Sequence, residues 1–126
     1  MLIISLLIAG ITNNVVDENQ EYSKRRTASL KTIFKKFNVP NKIDYLSLDV
    51  EGAEDLIMND FPFDQYQFDV LTIERVSVDL ENLLKRNGYV LVHYFRRFDS
   101  MWVHRSLDYQ GMIKEHELIP KFEDSP

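Results

Sequence analysis

The stretch that decides the fold is Ile43-Asp-Tyr-Leu-Ser-Leu-Asp-Val-Glu-Gly-Ala-Glu54. Its first residues, 43–50, are mostly apolar, which predicts a short strand that is covered on both faces, as in a parallel sheet. Gly52 then supplies a tight turn, and a short helix is expected over 53–59. The stretch therefore predicts a strand, a turn and a helix, with Asp49 and Glu51 at the carboxyl end of the strand.

The alternation of strands and helices continues on both sides of this stretch. Upstream, apolar residues at helical spacing over 29–37 predict a helix that Ser29 or Thr27 can cap and that Pro40 ends. Downstream, the pattern predicts a strand over 68–74, a helix over 77–87, and two antiparallel strands over 89–95 and 101–105. The expected class is α/β, with a mostly parallel sheet that ends in an antiparallel hairpin.

The chain begins with an apolar run, MLIISLLIAGI, over residues 1–11. It has about half of the roughly 20 residues needed to cross a bilayer, and it lacks the positively charged start of a signal peptide. We interpret it as a buried strand and expect a cytoplasmic protein. The alternative is a targeting segment that places the protein at a membrane or in the secretory pathway. Residues 12–21 are polar and predict a loop.

Length and composition restrict the function. The chain has 126 residues, which suits one domain, and its lack of cysteine excludes a disulfide scaffold, a thiolate zinc site and a cysteine nucleophile. Its net charge of −5 gives no general attraction to phosphate backbones, so we expect no nucleic-acid partner. The basic residues over 24–36 are interpreted as a solvated helix face, with a surface for an anionic partner as the alternative.

Carboxylates collect where two neighbouring strands are expected to end. The first strand is followed by Asp49, Glu51 and Glu54, and the next ends in Glu74 and Arg75. In an open α/β sheet, ligands bind beyond the carboxyl ends of the strands. Such a cluster can accept hydrogen bonds from a cofactor's hydroxyls or amine, hold a cation, or take a proton from a substrate hydroxyl.

Structural explanations compete with these functional ones. Glu54 in a first helical turn is favourable simply through the helix dipole. Asp49 is harder to explain in that way, because a carboxylate inside an apolar strand must find partners or suffer desolvation. His93 and His104 become cross-strand neighbours if residues 97–100 form a loop, and with a carboxylate they could hold a metal. We interpret both histidines as structural and expect no metal.

The glycines are few and far apart. The chain has only Gly10, Gly52, Gly88 and Gly111, and no two of them lie close together. A glycine-rich loop of the kind that cradles phosphates is therefore missing from this sequence. The chain binds no nucleotide by that route.

The run 43–54 resembles the motif of the FkbM-type methyltransferases, which are S-adenosylmethionine-dependent enzymes of the Rossmann-like class I fold and mostly methylate oxygen. The resemblance covers roughly residues 27–105. Besides that run it includes the helix start at Thr27–Leu30, the segments Asn38–Pro40 and Phe61–Phe63, the strand Leu71–Arg75, and Gly88–Tyr89 up to the hairpin that ends near His104.

The resemblance implies a role for each residue of the carboxylate cluster. Asp49 and Glu51 would be catalytic, and Asp49 and Glu74 would contact S-adenosylmethionine. Glu54 and Arg75 would bind the acceptor, a small molecule. The reaction would transfer a methyl group from a sulfonium to an oxygen, and this chemistry requires no metal.

The sequence also departs from the family. A full domain begins with a strand and a glycine-rich turn for the cofactor, followed by a strand whose terminal acid binds the ribose, and neither is found here. We therefore expect a single truncated domain over 1–126 that starts at about the fourth of seven strands. The strand over 43–50 then has an edge that the N-terminal run, another chain or a second copy could pair. The alternative function is a non-catalytic truncated relative that acts as a binding module.

Overall fold

Strands and helices alternate along the chain, as the sequence pattern predicts. The computed structural model describes residues 3–7, 27–95, 99–108 and 110. Within them lie β1 (Ile3–Leu7), α1 (Leu30–Lys36), β2 (Lys42–Asp49), α2 (Glu54–Asn59), β3 (Gln67–Glu74), α3 (Val78–Arg86), β4 (Tyr89–Tyr94) and β5 (Asp99–His104). The predicted loop over 12–21 and the basic residues 24–26 lie outside the described residues.

The strands form one mixed sheet in the order β1-β2-β3-β5-β4. The pairs β1/β2 and β2/β3 are parallel, whereas β3/β5 and β5/β4 are antiparallel. The α/β class is confirmed, but the expectation of a mostly parallel sheet is wrong. The hairpin folds back so that its second strand, β5, lies between β3 and β4. One reversed strand in the interior of the sheet therefore creates two antiparallel pairs.

The edge of β2 is paired within the chain. β1 runs parallel to β2 in a register that places Ile3 opposite Tyr45 and Leu7 opposite Asp49. The strand prediction for the apolar N-terminal run is thus confirmed over residues 3–7. It also means that the edge of the 43–50 strand, where another chain could have paired, is already occupied. The sequence left three candidates for this edge, because a short apolar strand can add to any open edge.

The first helix begins as predicted and ends earlier than its apolar pattern suggests. The Ser29 hydroxyl accepts a hydrogen bond from the Thr32 backbone N–H at 3.2 Å, which is the expected N-cap. Phe37 was expected on the buried face of the helix but is 68% exposed. The helix stops at Lys36 and Phe37 is its C-cap, so the ring no longer follows the helical face.

The hydrophobic core lies between the sheet and the helices. Its sheet side is formed by alternate residues of the central strands, and its helix side by one face of each helix. The cluster includes, from the sheet, Leu46, Leu48, Leu71, Ile73 and Trp102, and from the helices, Phe34, Met58, Leu80 and Leu84. Residues of all three helices belong to this one cluster. The residues of β2 and β3 that alternate with the core point to the opposite face and are only partly buried. The apolar run of β2 predicted a strand that is buried on both faces, but only one face of β2 is fully buried.

The buried polar groups of Ser100 and Trp102 are hydrogen-bonded. The Trp102 indole N–H donates to the Ser100 hydroxyl at 2.8 Å, and that hydroxyl donates to the Ile73 carbonyl at 3.1 Å. This chain of bonds fixes β5 against β3, because an unpaired polar group at this depth would be costly. No helix in the described ranges has the length and apolarity needed to cross a bilayer.

Candidate functional site

Three of the predicted carboxylates meet at the carboxyl ends of β2 and β3. The register places Leu48 opposite Ile73, so Asp49 and Glu74 leave adjacent strands at the same rim. One carboxylate oxygen of each of Asp49, Glu51 and Glu74 lies within 4.8 Å of the other two. The sheet thus brings together side chains that are 25 residues apart in sequence at their farthest. We call Asp49, Glu51 and Glu74 the carboxylate cluster.

Both strands turn sharply at this rim. Glu51 has φ of 53° and Gly52 of 101°, while Arg75, directly after β3, has φ of 52°. Left-handed backbone at residues other than glycine costs on the order of 1–3 kcal/mol and is concentrated at functional sites. A Cβ at position 52 would meet no atom within 4 Å, so Gly52 is required by its backbone conformation rather than by space.

Glu54 lies beneath the cluster and supports its turn. One of its carboxylate oxygens accepts from the Val50 N–H at 3.1 Å and the other from the Gly52 N–H at 2.9 Å. The residue is only 2% exposed. Both of its oxygens are engaged by the backbone, and its contact with the acceptor stays a prediction. Its role is to hold the turn that presents Glu51.

Arg75 lies on the outside of the cluster. Its Nε is 3.4 Å from Glu74 Oε1 and one of its terminal nitrogens is 3.9 Å from Glu51 Oε2. The side chain is 55% exposed, so water weakens both interactions. Arg75 offsets part of the negative charge of the cluster, and its predicted contact with the acceptor stays a prediction.

A cavity of about 300 Å³ opens beside the cluster. It is lined by carboxylates, hydroxyls and one aromatic ring, from Ser47, Leu48, Asp49, Thr72, Glu74, Phe95 and Asp99. Under the cavity, the Tyr45 hydroxyl and the Thr72 hydroxyl are hydrogen-bonded at 2.6 Å. The lining thus offers hydrogen-bond acceptors and one aromatic ring.

Five of the seven lining residues, Leu48 and the four discussed next, were not identified as site residues by the sequence analysis. Ser47 and Thr72 stand two positions before Asp49 and Glu74, so strand alternation could have placed them on the same face. Phe95 and Asp99 could not be found in that way. Asp99 lies opposite Glu74 only because β5 is inserted next to β3, an order that the sequence pattern does not encode.

Burial and like charges act on Glu74. Its side chain is 15% exposed. Burial is the main cause that raises the pKa of Glu74; the Arg75 guanidinium lowers it, and the neighbouring carboxylates of Asp49 and Glu51 raise it further. Asp49 Oδ1 and Glu74 Oε2 are buried, and no N–H or hydroxyl group of the described residues donates to them.

The two histidines of the hairpin do not meet. His104 lies opposite Tyr89 and His93 lies opposite Met101, with a register shift between Leu91 and His93. The register under which the two histidines would be cross-strand neighbours is therefore not the one formed. The Phe95 N–H donates to the Asp99 carbonyl at 2.7 Å, and Asp99 and Ser100 already belong to β5. No paired-histidine metal site is formed by these residues.

The carboxylate cluster is itself an oxygen ligand set of a kind that hard cations use. Clusters of acidic side chains also occur at protein surfaces without binding an ion. In this cluster, Glu51 and Glu74 form ion pairs with Arg75. The expectation that the protein uses no metal stays a prediction.

Comparison with known proteins gives one match. The model of a family described as the methyltransferase FkbM domain matches residues 5–91, more than two thirds of the chain. Searches of curated proteins and of solved structures found no match. The matched region begins in β1 and includes the whole carboxylate cluster, whereas the cavity residues Phe95 and Asp99 follow it.

Proposed function

The chain belongs to the methyltransferase FkbM domain family, and we propose that it acts as an S-adenosylmethionine-dependent methyltransferase on a hydroxyl oxygen of a small molecule. The observation that carries this proposal is the position of the cavity. It lies at the carboxyl ends of β2 and β3, beside the carboxylate cluster, where open α/β sheets bind ligands. We further propose that the fold is Rossmann-like, which the helical crossovers between successive strands support.

The chemistry of the cavity suits the proposed cofactor. When bound, S-adenosylmethionine supplies a methyl group on a positively charged sulfur. Asp49 and Glu74 would accept hydrogen bonds from its hydroxyl or amine groups, and each has a buried oxygen that receives no hydrogen bond from a described donor. The lining residues include three carboxylates and no basic side chain, which favours positively charged or neutral ligands over anions.

The size of the cavity limits what it holds. Small-molecule sites usually measure about 300–1,000 Å³, and this cavity lies at the lower end of that range. It would therefore hold only part of a cofactor together with part of an acceptor.

Within this proposal, Asp49 takes the proton that the acceptor hydroxyl loses. Glu51, which is about half exposed at the mouth of the turn, orients that hydroxyl. Arg75 contacts the acceptor from outside the cluster. Proximity supplies much of the rate, because the transfer needs one oxygen held in line with one methyl group.

One observation favours a second candidate, a non-catalytic binding module. The sequence has four glycines and no glycine-rich turn of the kind that full domains of this class use for the cofactor. A binding module would use the same cavity for a hydroxylated ligand without transferring a methyl group to it.

Calorimetry with S-adenosylmethionine separates the two candidates. An enzyme is expected to show binding heat with a dissociation constant between about 1 μM and 1 mM, the usual range for substrates. It is then incubated with S-adenosylmethionine carrying a tritiated methyl group and a panel of hydroxylated small molecules, and tritium is expected in one of them. Absence of both heat and transfer would contradict the enzymatic proposal and support the binding module.

A further inference from the structure

We infer that Phe95 and Asp99 form the subsite for the acceptor, and that this subsite takes an acceptor that carries a protonated amine in addition to its hydroxyl. We call Phe95 and Asp99 the hairpin pair, because Phe95 directly follows β4 and Asp99 begins β5. The inference rests on the proposed function, since it names the class of molecule that the cavity takes as acceptor.

The backbone holds the two residues of the hairpin pair together at the cavity. The Phe95 N–H donates to the Asp99 carbonyl at 2.7 Å, and both residues line the cavity. Asp99 lies opposite Glu74 in the register of β3 and β5. The hairpin pair therefore supplies one side of a cavity whose other lining residues come from β2 and β3.

Phe95 offers an aromatic ring that the protein only partly covers. The residue is 42% exposed, and its ring packs against the His93 ring with centroids 4.7 Å apart and planes at 72°. This edge-to-face contact restrains the ring on one side. The face of an aromatic ring attracts a cation that lies within about 6 Å of its centre. A restrained ring at a cavity is thus suited to hold an ammonium group.

The charge of the cavity favours a cationic ligand over a neutral one. Asp49, Glu74 and Asp99 supply three carboxylates, and none of the described residues that line the cavity is basic. Arg75 pairs with the carboxylate cluster from outside and is 55% exposed, so water screens its charge. A neutral ligand would leave the negative charge of the cavity uncompensated. An ammonium group offsets this charge and supplies three N–H donors.

The family match separates the two sides of the cavity. It covers residues 5–91, which include Asp49 and Glu74, the proposed contacts of the cofactor. The hairpin pair follows the matched region. The hairpin pair is therefore the part of the cavity that the family match does not account for, and the acceptor is the ligand that this match does not specify.

Three phenols that differ in charge test the inference. Tyramine, tyrosol and hydroxyphenylacetate share a phenol ring with a short arm, which ends in an amine, a hydroxyl or a carboxylate. The amine of tyramine is protonated at pH 7, because alkyl amines titrate at about pH 10. Each compound is titrated into the full chain without cofactor, and binding is followed by ligand-observed NMR. We expect tyramine to bind at least about tenfold more tightly than tyrosol, and hydroxyphenylacetate to bind most weakly. Equal affinity for tyramine and tyrosol, or no binding of tyramine, would overturn the inference.

Variants of the hairpin pair locate the amine. Phe95→Leu removes the ring and should weaken tyramine binding about threefold to thirtyfold. Tyr94→Leu is its control, since Tyr94 is 57% exposed and does not line the cavity. Asp99→Asn keeps the backbone bond to Phe95 and should weaken binding at least about tenfold, whereas Asp64→Asn, at an exposed carboxylate elsewhere, should not. The inference fails if either variant behaves like its control. The comparison of the three phenols on the wild type does not depend on how well the variants fold.

The cofactor gives a further test, because S-adenosylmethionine is itself positively charged. Its dissociation constant should stay within about threefold of the wild-type value in Phe95→Leu. A loss as large as that of tyramine would assign the ring to the sulfonium and would contradict an acceptor subsite.

Tritium transfer distinguishes failure of this inference from failure of the proposed function. Tyramine binding with the expected variant effects, but without methyl transfer to any acceptor, would keep the amine-binding subsite and reject the enzyme. Methyl transfer to a neutral acceptor, together with equal binding of tyramine and tyrosol, would keep the enzyme and reject the subsite.

Discussion

Polar side chains lie at both rims of the sheet, the amino ends and the carboxyl ends of β2 and β3. The two rims differ in whether these side chains find hydrogen-bond and ion-pair partners. At the amino ends of β2 and β3, Lys42 pairs with Asp69 at 3.3 Å, and the Gln67 side-chain amide donates to Asp69 at 3.3 Å and to Ser106 at 3.1 Å. Ser106 in turn contacts His104 Nδ1 at 2.8 Å. Every link in this network joins a donor to an acceptor.

At the carboxyl ends of the same strands, acceptors are in excess. The carboxylate cluster brings three acidic side chains together, and two of them have buried oxygens that no described group donates to. A rim that served stability alone would not keep this arrangement, because like charges and unpaired acceptors both cost free energy. The amino rim therefore maintains the sheet, whereas the carboxyl rim is where we propose that ligand binding and methyl transfer take place.

The strongest test of this division exchanges one carboxylate for an amide at each rim. Asp49→Asn at the carboxyl rim is expected to lower methyl transfer by about 10²–10⁴-fold, the usual effect of removing a general base. Asp69→Asn at the amino rim should leave the transfer rate within about threefold of the wild-type rate. It removes an ion pair with Lys42 at the rim opposite the carboxylate cluster. Tritium transfer measures both. Equal losses in the two variants would erase the functional difference between the rims.

A second test separates support from chemistry within the carboxyl rim. Glu54→Gln leaves one of two backbone N–H groups without its acceptor, so it should lower the free energy of unfolding by about 1–3 kcal/mol. Glu51→Gln is the matched control. Its carboxylate is 49% exposed and takes part in a long ion pair, so the loss should stay below about 1 kcal/mol. Urea unfolding measures the difference, and a larger loss in Glu51→Gln would reverse these roles.

The smallest effect is expected at the amino rim. Burial is the main cause that lowers the pKa of His104, assisted by the Arg105 charge. Because the folded-state pKa is lowered, the neutral ring stabilises the native state above about pH 6.5, and this contribution is lost as the pH falls. The melting temperature of the wild type should drop by about 2 °C or less relative to His104→Asn between pH 7 and pH 5. An opposite sign would show that His104 is held as a cation.

Much of this fold could be predicted from local pattern. The helices follow from apolar spacing and from the Ser29 and Ser77 caps, and the strands from short apolar runs between turns. The meeting of Asp49 and Glu74 follows from a single further assumption, that consecutive strands joined by a helix lie parallel and adjacent.

The position of β5 in the sheet and the contacts of Glu54 could not be predicted from the local sequence pattern. Nothing in the spacing of residues 89–105 says which strand of the hairpin joins β3, so Asp99 and Phe95 could not be assigned to the cavity. The hydrogen bonds of Glu54 to the turn could not be predicted for a different reason. An acidic residue in a first helical turn has the same sequence pattern whether its carboxylate faces solvent or folds back onto the preceding turn.

The position of β5 affects how the protein is made. Synthesis proceeds from the amino terminus, so β3 emerges from the ribosome with an open apolar edge that only the last strand of the sheet can close. Until β5 has been synthesised, this exposed edge of β3 is a site at which the nascent chain can aggregate. Trp102, the single tryptophan, lies in β5 and is fully buried, so its fluorescence reports when the edge has closed.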